Sequence, residues 1–137
     1  LAGWQAGLRE AGLPPGPVAH GDFTAAGGTK ATEQLLAEDS GLDGIFAASD
    51  LMARGAITAV RASGRAVPGD VAVVGFDDHV SAPGELPLTT INQPMVEMAT
   101  EAGRLLLADI ENSGADRDPV IYPARLVVRA SSGPKSG

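Results

Sequence analysis

The 137-residue sequence contains no cysteine, only 4% aromatic residues and only two histidines. Without cysteine there is neither a disulfide framework nor a thiolate metal site. With so few aromatics the core has to be aliphatic, built from Leu, Val, Ile and Ala. Basic residues are also scarce: ten Lys and Arg stand against seventeen Asp and Glu, a formal net charge of −7. A surface this acidic repels nucleic acid phosphates and anionic membranes, so this stretch is not itself a DNA-contacting element. No apolar run approaches the ~18 residues that a membrane-spanning helix needs. The opening Leu1-Ala2-Gly3-Trp4-Gln5 lacks the basic region of a signal peptide and begins as if already inside a helix, so the chain reads as part of a longer one. These features fit a cytoplasmic protein.

What is present is enough for a core: 44% hydrophobic residues, with 18 glycines and 10 prolines spread along the chain as turns. Helix and strand patterns alternate. Leu1, Trp4 and Leu8 are spaced as on a helix that stops at Gly12, and Val18 to Phe23 has the length of a short strand. A helix is expected from Ala25 to Glu38, then a strand over Gly44-Ile45-Phe46-Ala47-Ala48. Ser49-Asp50 offers a cap for a helix from Leu51 to Ala62. Val71 to Phe76 is the most strand-like run, Asp77 to Pro87 a loop, and Leu88 to Asn92 a short strand. Pro94 opens a helix from Met95 to Ile110, and 120–122 and 126–129 are strand pieces around Pro123. Such alternation predicts an α/β fold, a parallel sheet with helices on both faces. Ligands bind such sheets beyond the carboxyl ends of the strands. Three loops lie there: Gly21-Asp22-Phe23, Ala48-Ser49-Asp50 and Phe76-Asp77-Asp78.

Several chemistries lack their residues. Ala26-Gly27-Gly28-Thr29-Lys30 is no phosphate loop, because Lys30 is followed by Ala31 rather than Ser or Thr. His20 and His79 do not form a metal-ligand pair, and no nucleophile elbow is present. Asp77-Asp78 is the sharpest polar feature. Adjacent residues on an extended strand point to opposite sides, so the two carboxylates do not form an acid–base pair on one substrate. One can face a cleft and accept two hydroxyl hydrogen bonds, or the pair can simply end the strand. Ser49-Asp50 reads equally as a helix cap, and Phe23 as core or as a flat platform for a sugar or purine.

Taken in order, these blocks resemble the lactose/galactose repressor (LacI/GalR) family. Ile45-Phe46-Ala47-Ala48-Ser49-Asp50-Leu51-Met52-Ala53-Arg54-Gly55-Ala56 is similar to its apolar strand and Met-Ala-x-Gly-Ala helix. Val67-Pro68-Gly69-Asp70 through Gly75-Phe76-Asp77-Asp78 resembles its most recognisable block, and Pro87-Leu88-Thr89-Thr90-Ile91-Asn92-Gln93-Pro94 its crossover between lobes. The ending Leu126-Val127-Val128-Arg129-Ala130-Ser131-Ser132 fits as well. The resemblance implies a Rossmann-like lobe of a type I periplasmic-binding-protein-like fold. Residues 1–92 then form the C-terminal lobe, 93–112 a crossover helix belonging to the other lobe, 113–132 the returning strands and 133–137 a disordered tail. A DNA-binding headpiece and most of the other lobe lie outside this sequence.

The resemblance further implies sensing of a small-molecule effector for a repressor that is not an enzyme, needs no cofactor, dimerises and meets operator DNA only through the headpiece. The effector it suggests is a carbohydrate, with purines as another possibility of the same positions. By position, Asp77 matches the carboxylate that binds effector hydroxyls and Phe23 the stacking aromatic. Ser49 matches a position often held by a ligand-contacting Asn, whose paired amide donor and acceptor Ser lacks. Asp50 joins the site from beside it, capping the helix and bracing the hinge, and Met95 lines the cleft from the hinge side. The apolar stripe Met98, Leu105 and Leu106 is expected to pack on another copy or to rearrange. The other reading is the sugar-binding component of a transport system with the same fold; a glycosidase using Asp77 is a more distant one.

Overall fold

Small residues and β-hydrogen-bonding runs alternate along the chain, and in the computed structural model they fold as that alternation dictates. The structure describes residues 1–79, 81–111 and 119–133. The elements are α1 (Ala2–Glu10), α2 (Ala25–Glu38), β1 (Gly44–Phe46), α3 (Asp50–Ala62), β2 (Ala72–Asp77), β3 (Thr89–Asn92), α4 (Met95–Glu111) and β4 (Arg125–Val127). The four strands form one sheet in the order β1-β2-β3-β4. β1, β2 and β3 run parallel, with Ile45 beside Val73 and Gly75 beside Thr90. β4 returns antiparallel to β3, pairing Asn92 with Arg125. The sheet is therefore mostly parallel and layered with helices, as expected.

The core lies between this sheet and α3. Ile45 and Val73 point from the sheet into Ala53, Ala56, Ile57 and Val60 of α3, with Val71 and Leu88 closing the ends. Small residues let the second helix come close. An added Cβ at Gly28 of α2 would run into the Met52 backbone, and one at Gly55 of α3 into the backbone of Ala25 and Thr29. The Thr29 hydroxyl then donates across the contact to the Gly55 carbonyl at 3.2 Å. The opposite sheet face is far more open: Phe46, Ala72 and Val74 look toward Trp4 and Leu8 of α1 across a cavity. The C-terminal segment is stitched in by one buried serine. Ser131 Oγ accepts from Thr89 N at 2.8 Å and donates to the Val73 carbonyl at 2.6 Å.

Two expected strands do not form. Residues 18–23 are not in the sheet, although Pro17 and Ala19 are half-buried in alternation with exposed Val18 and His20, the period of extended chain. The segment keeps its own N–H groups, since Pro14, Pro15 and Pro17 all precede it, but a cavity of about 270 Å³ lies between Pro17-Val18-Ala19 and Ile45 and Phe46 of β1. Residues 120–122 also stay outside. The register sets Arg125 opposite Asn92, the last residue of β3, so anything before Arg125 has run past its partner's end. At the other end of β4, Arg129 turns its backbone to the Thr89 side chain instead of to the ladder: its N–H donates to Thr89 Oγ1 at 2.8 Å and its carbonyl accepts from the same hydroxyl at 3.0 Å. The polar stretch 112–118 and, of the expected tail 133–137, residues 134–137 lie outside the described residues.

α4 stands apart. None of its residues is buried, and Leu106, Leu107 and Ile110 are exposed at 62%, 63% and 70%.

Candidate functional site

The carboxyl ends of β1, β2 and β3 converge on one rim, and each brings polar residues with it. After β1, Ser49 caps α3: its Oγ accepts from Met52 N at 3.2 Å. Ser49 is buried, and the chain then turns straight into α3 with Asp50, only 4% exposed. Both Asp50 oxygens are taken by protein donors. Oδ1 accepts from the Thr90 hydroxyl and Oδ2 from His79 N, each at 2.6 Å. Asp50 thus braces the rim, and no buried side-chain polar atom among the described residues lacks a partner.

At the end of β2 the backbone does something a side-chain-bearing residue seldom does. Asp77 and Asp78 take φ of 114° and 60°, and with Phe23 (φ 63°) they are the described non-glycine residues in the left-handed region. Such a conformation costs of order 1–3 kcal/mol per residue and is held only where surrounding contacts fix it. All three belong to loops that the sequence placed at the site. The turn also separates the two carboxylates. Asp78 faces Arg129, which donates to Oδ1 at 2.6 Å, and Asn92, which donates to Oδ2 at 2.9 Å. The Arg129 guanidinium holds the Asp78 carboxyl below the usual carboxylate range, against the opposing pull of burial, and Asn92 adds to the lowering. Asp77 goes the other way: Gln93 donates to its Oδ1 at 3.0 Å. Its second oxygen has no hydrogen bond among the described residues. The pair is split between a structural role and an open one, so it does not form a two-carboxylate hydrolytic centre.

The open side is a broad cleft. Asp77, Asn92, Gln93, Met95, Tyr122 and Arg125 line it, bringing Asp77 and Met95 of the expected set together. Phe23, Ser49 and Asp50 do not line this cleft. Phe23 is 63% exposed in its own loop. There Asp22 Oδ1 accepts from the hydroxyl of Thr24 at 2.6 Å and from its N–H at 3.0 Å. These bonds, the hydroxyl's first, lower the Asp22 carboxyl below its ordinary value. Thr24 in turn caps α2 by accepting from Gly27 N. Sequence reasoning did not single out Gln93, Thr90, Arg129, Tyr122 or Arg125. Gln93 and Thr90 sit inside a block that was recognisable as a crossover, whereas nothing local marks Arg129, 51 positions from Asp78, as its partner.

A cleft carboxylate held by an amide, with an oxygen open, beside an apolar thioether and a phenol, suits a neutral polyhydroxy ligand. Residues 1–132 match the family model described as a periplasmic binding protein-like domain. The chain belongs to that family. It is a periplasmic binding protein-like domain of the LacI/GalR type, as its relatives show. The transcriptional regulator CelR of Thermobifida fusca is 41% identical over 134 residues, 96% of this chain and 39% of that protein. The transcriptional repressor CytR of Escherichia coli K12 is 35% identical over 135 residues, 96% of this chain and 40% of that protein. Among solved structures, the CelR–cellobiose complex superposes with a TM-score of 0.89 at 41% identity, covering 95% of this chain and 41% of that one. The Lac repressor bound to ONPG gives 0.83 at 33% identity, covering 96% and 40%. The domain thus spans about two fifths of the length of these regulators. They are transcriptional regulators. Among the described residues no helix is long and apolar enough to cross a membrane.

Proposed function

We propose that this domain senses a small carbohydrate for a DNA-binding transcriptional repressor, with Asp77 accepting hydrogen bonds from the sugar's hydroxyls. The likeness to a regulator in complex with cellobiose carries the reading. The open oxygen of Asp77, on a strained turn in a cleft, supports the role of that residue. Met95 forms the apolar wall, and Phe23 supplies a stacking face from a neighbouring loop. Ser49 borders the rim as the cap of α3.

Residues 1–92 form one lobe, and the helix 93–112 belongs to a second that the rest of the protein supplies. Two observations favour this division: no residue of α4 is buried, and the matched regulators are about two and a half times longer. The effector then sits between lobes and favours one interlobe arrangement, by no more than its differential affinity for the two. A homodimer follows from the two-fold symmetry of operator half-sites, and the headpiece rather than this acidic lobe contacts the DNA. The protein works in the cytoplasm and uses no cofactor.

Isothermal titration of the whole protein with cellobiose, a panel of other sugars and a panel of nucleosides tests this. A sugar should bind, and Asp77→Ala should weaken it at least about tenfold, because hydrogen bonds to a charged acceptor contribute roughly 1.5–3 kcal/mol each. Binding confined to nucleosides would move the effector class. Hydrolysis of a bound sugar would make the domain part of an enzyme and sink the proposal.

A further inference from the structure

We propose that Asp50 and Thr90 are positioning residues of the effector site: together they hold the Asp77–Asp78 turn in its left-handed form and so aim Asp77 into the cleft. This inference rests on the reading of Asp77 as the ligand contact.

Hydrogen-bond direction fixes how the two residues act. An ionised carboxylate accepts and never donates, while a threonine hydroxyl has a single proton to give. Asp50 Oδ1 receives that proton from Thr90, at 2.6 Å and fully out of solvent. The hydroxyl's lone pairs are then the only function Thr90 has left, and one of them accepts from Asp78 N at 3.3 Å. The other Asp50 oxygen accepts from His79 N at 2.6 Å. Two successive backbone N–H groups are thereby caught, one through Thr90 and one directly. They are the N–H groups that follow the two positive φ angles, 114° at Asp77 and 60° at Asp78. A backbone that released them would relax toward the ordinary φ of an aspartate.

The neighbouring residues are shaped to let the carboxylate reach that position. Gly75 lies against Asp50, and a Cβ there would collide with Oδ1 and with Leu88. Thr90 is opposite Gly75 in the parallel register, so its side chain arrives at the same spot from the next strand. On the far side of the turn, Asp78 is tied to Asn92 at the end of β3 and to Arg129 beyond β4. The turn is therefore gripped from below by Asp50 and Thr90 and from the side by Asn92 and Arg129. Asp77 and Asp78 both border the cleft, but both Asp78 oxygens are bonded, and Asp77 is left with an oxygen that has no hydrogen bond among the described residues.

The test uses the whole protein with Thr90→Val, which keeps the shape and removes the hydroxyl, and Thr90→Ser, which restores it. Val60→Ala serves as a control that loosens the core without touching the turn. Ligand-free crystal structures read φ at residues 77 and 78, and calorimetry reads cellobiose affinity. In Thr90→Val at least one of the two φ angles should turn negative and cellobiose should bind at least tenfold more weakly. Thr90→Ser should recover both, and Val60→Ala should lower the melting temperature with both unchanged. Should Thr90→Val not fold, Thr90→Ala removes the same hydroxyl without the bulk. A turn that keeps both positive angles without the hydroxyl overturns the inference, as does a rearranged turn with affinity within twofold of the parent. If the parent binds no sugar, the ligand role of Asp77 fails, while the crystal structures still decide whether Thr90 holds the turn.

Discussion

α3 and α4 are both helices with an apolar stripe, and they meet opposite fates. Of the 13 residues of α3, seven are buried, including Ala53, Ile57 and Val60 against Ile45 and Val73 of the sheet. Of the 17 residues of α4, none is. The difference lies outside the helices. The stripe of α3 meets a sheet face and α2, whereas that of α4, which follows the end of β3, has no buried residue. An amphipathic pattern therefore records that a partner surface exists, not where in the sequence it is encoded. The same contrast divides the sheet: Ile45 and Val73 are sealed under α3, while Phe46, on the other face of the same strand, is nearly half exposed.

Deleting apolar bulk on each helix should give very different costs. Ile57→Ala, in the sealed core, is expected to lose about 2–5 kcal/mol, and Leu106→Ala less than about 0.5 kcal/mol, by urea unfolding of this chain followed by circular dichroism. A comparable loss at Leu106 would show that the α4 stripe is covered in solution, by another copy or by a rearrangement, and the contrast would collapse. Adding a methyl group sharpens the same comparison. Gly55→Ala pushes a Cβ into the Ala25 and Thr29 backbone, which no side-chain rotation relieves, and should cost about 1–3 kcal/mol. Gly103→Ala in α4 meets nothing within 4 Å and should stabilise the helix by about 0.5–1 kcal/mol. If Gly55→Ala melts at the parent temperature, the close approach of α2 and α3 is wrong.

Where local chemistry decides structure, the sequence was readable. The Ser49 cap, the strand 72–77 and the helix 95–111 follow from capping, β-branching and period, within a residue or two of the observed bounds. The strands that failed, 18–23 and 120–122, depend on a partner edge rather than on their own residues. Apolar composition marks a segment that can pair, but register and the reach to a partner edge decide whether it does. The site divides in the same way. Asp77 and Asp78 were visible as an unusual pair, and adjacency alone implied that they would diverge. What each faces was not visible, because Arg129 and Gln93 reach them from 51 and 16 positions away. Nor was the brace at Asp50, whose partner Thr90 is 40 positions distant. The family resemblance named candidate effector positions, and the folded geometry sets Asp77 and Met95 on the cleft and Phe23, Ser49 and Asp50 away from it.

The smallest expected effect concerns the seam between the two regions. Asp78 joins the end of β2 to Arg129, an ion pair between the well-packed half and the returning C-terminal segment. Its carboxyl titrates below the ordinary value of 3.8 because Arg129 donates to the charged form. Between that depressed value and 3.8 the unfolded chain binds more protons than the folded one, so stability rises with pH across the window. The contribution is complete above about pH 5 and vanishes as pH falls through the folded-state value. Asp78→Asn should therefore cost of order 1 kcal/mol at pH 7 and progressively less as pH falls below 3.8 toward the folded-state value, flattening the acid limb of a stability–pH profile. Asp22 shifts in the same direction through Thr24 in an exposed loop, where solvent screens the interaction, so Asp22→Asn should leave most of that limb in place. Equal flattening by both substitutions would mean that the Asp78–Arg129 pair is as solvated as the loop. The C-terminal segment would then be held by the β3–β4 ladder and by the hydrogen bonds of Ser131 and Thr89, whose neutral hydroxyls and amides do not titrate in the acid limb.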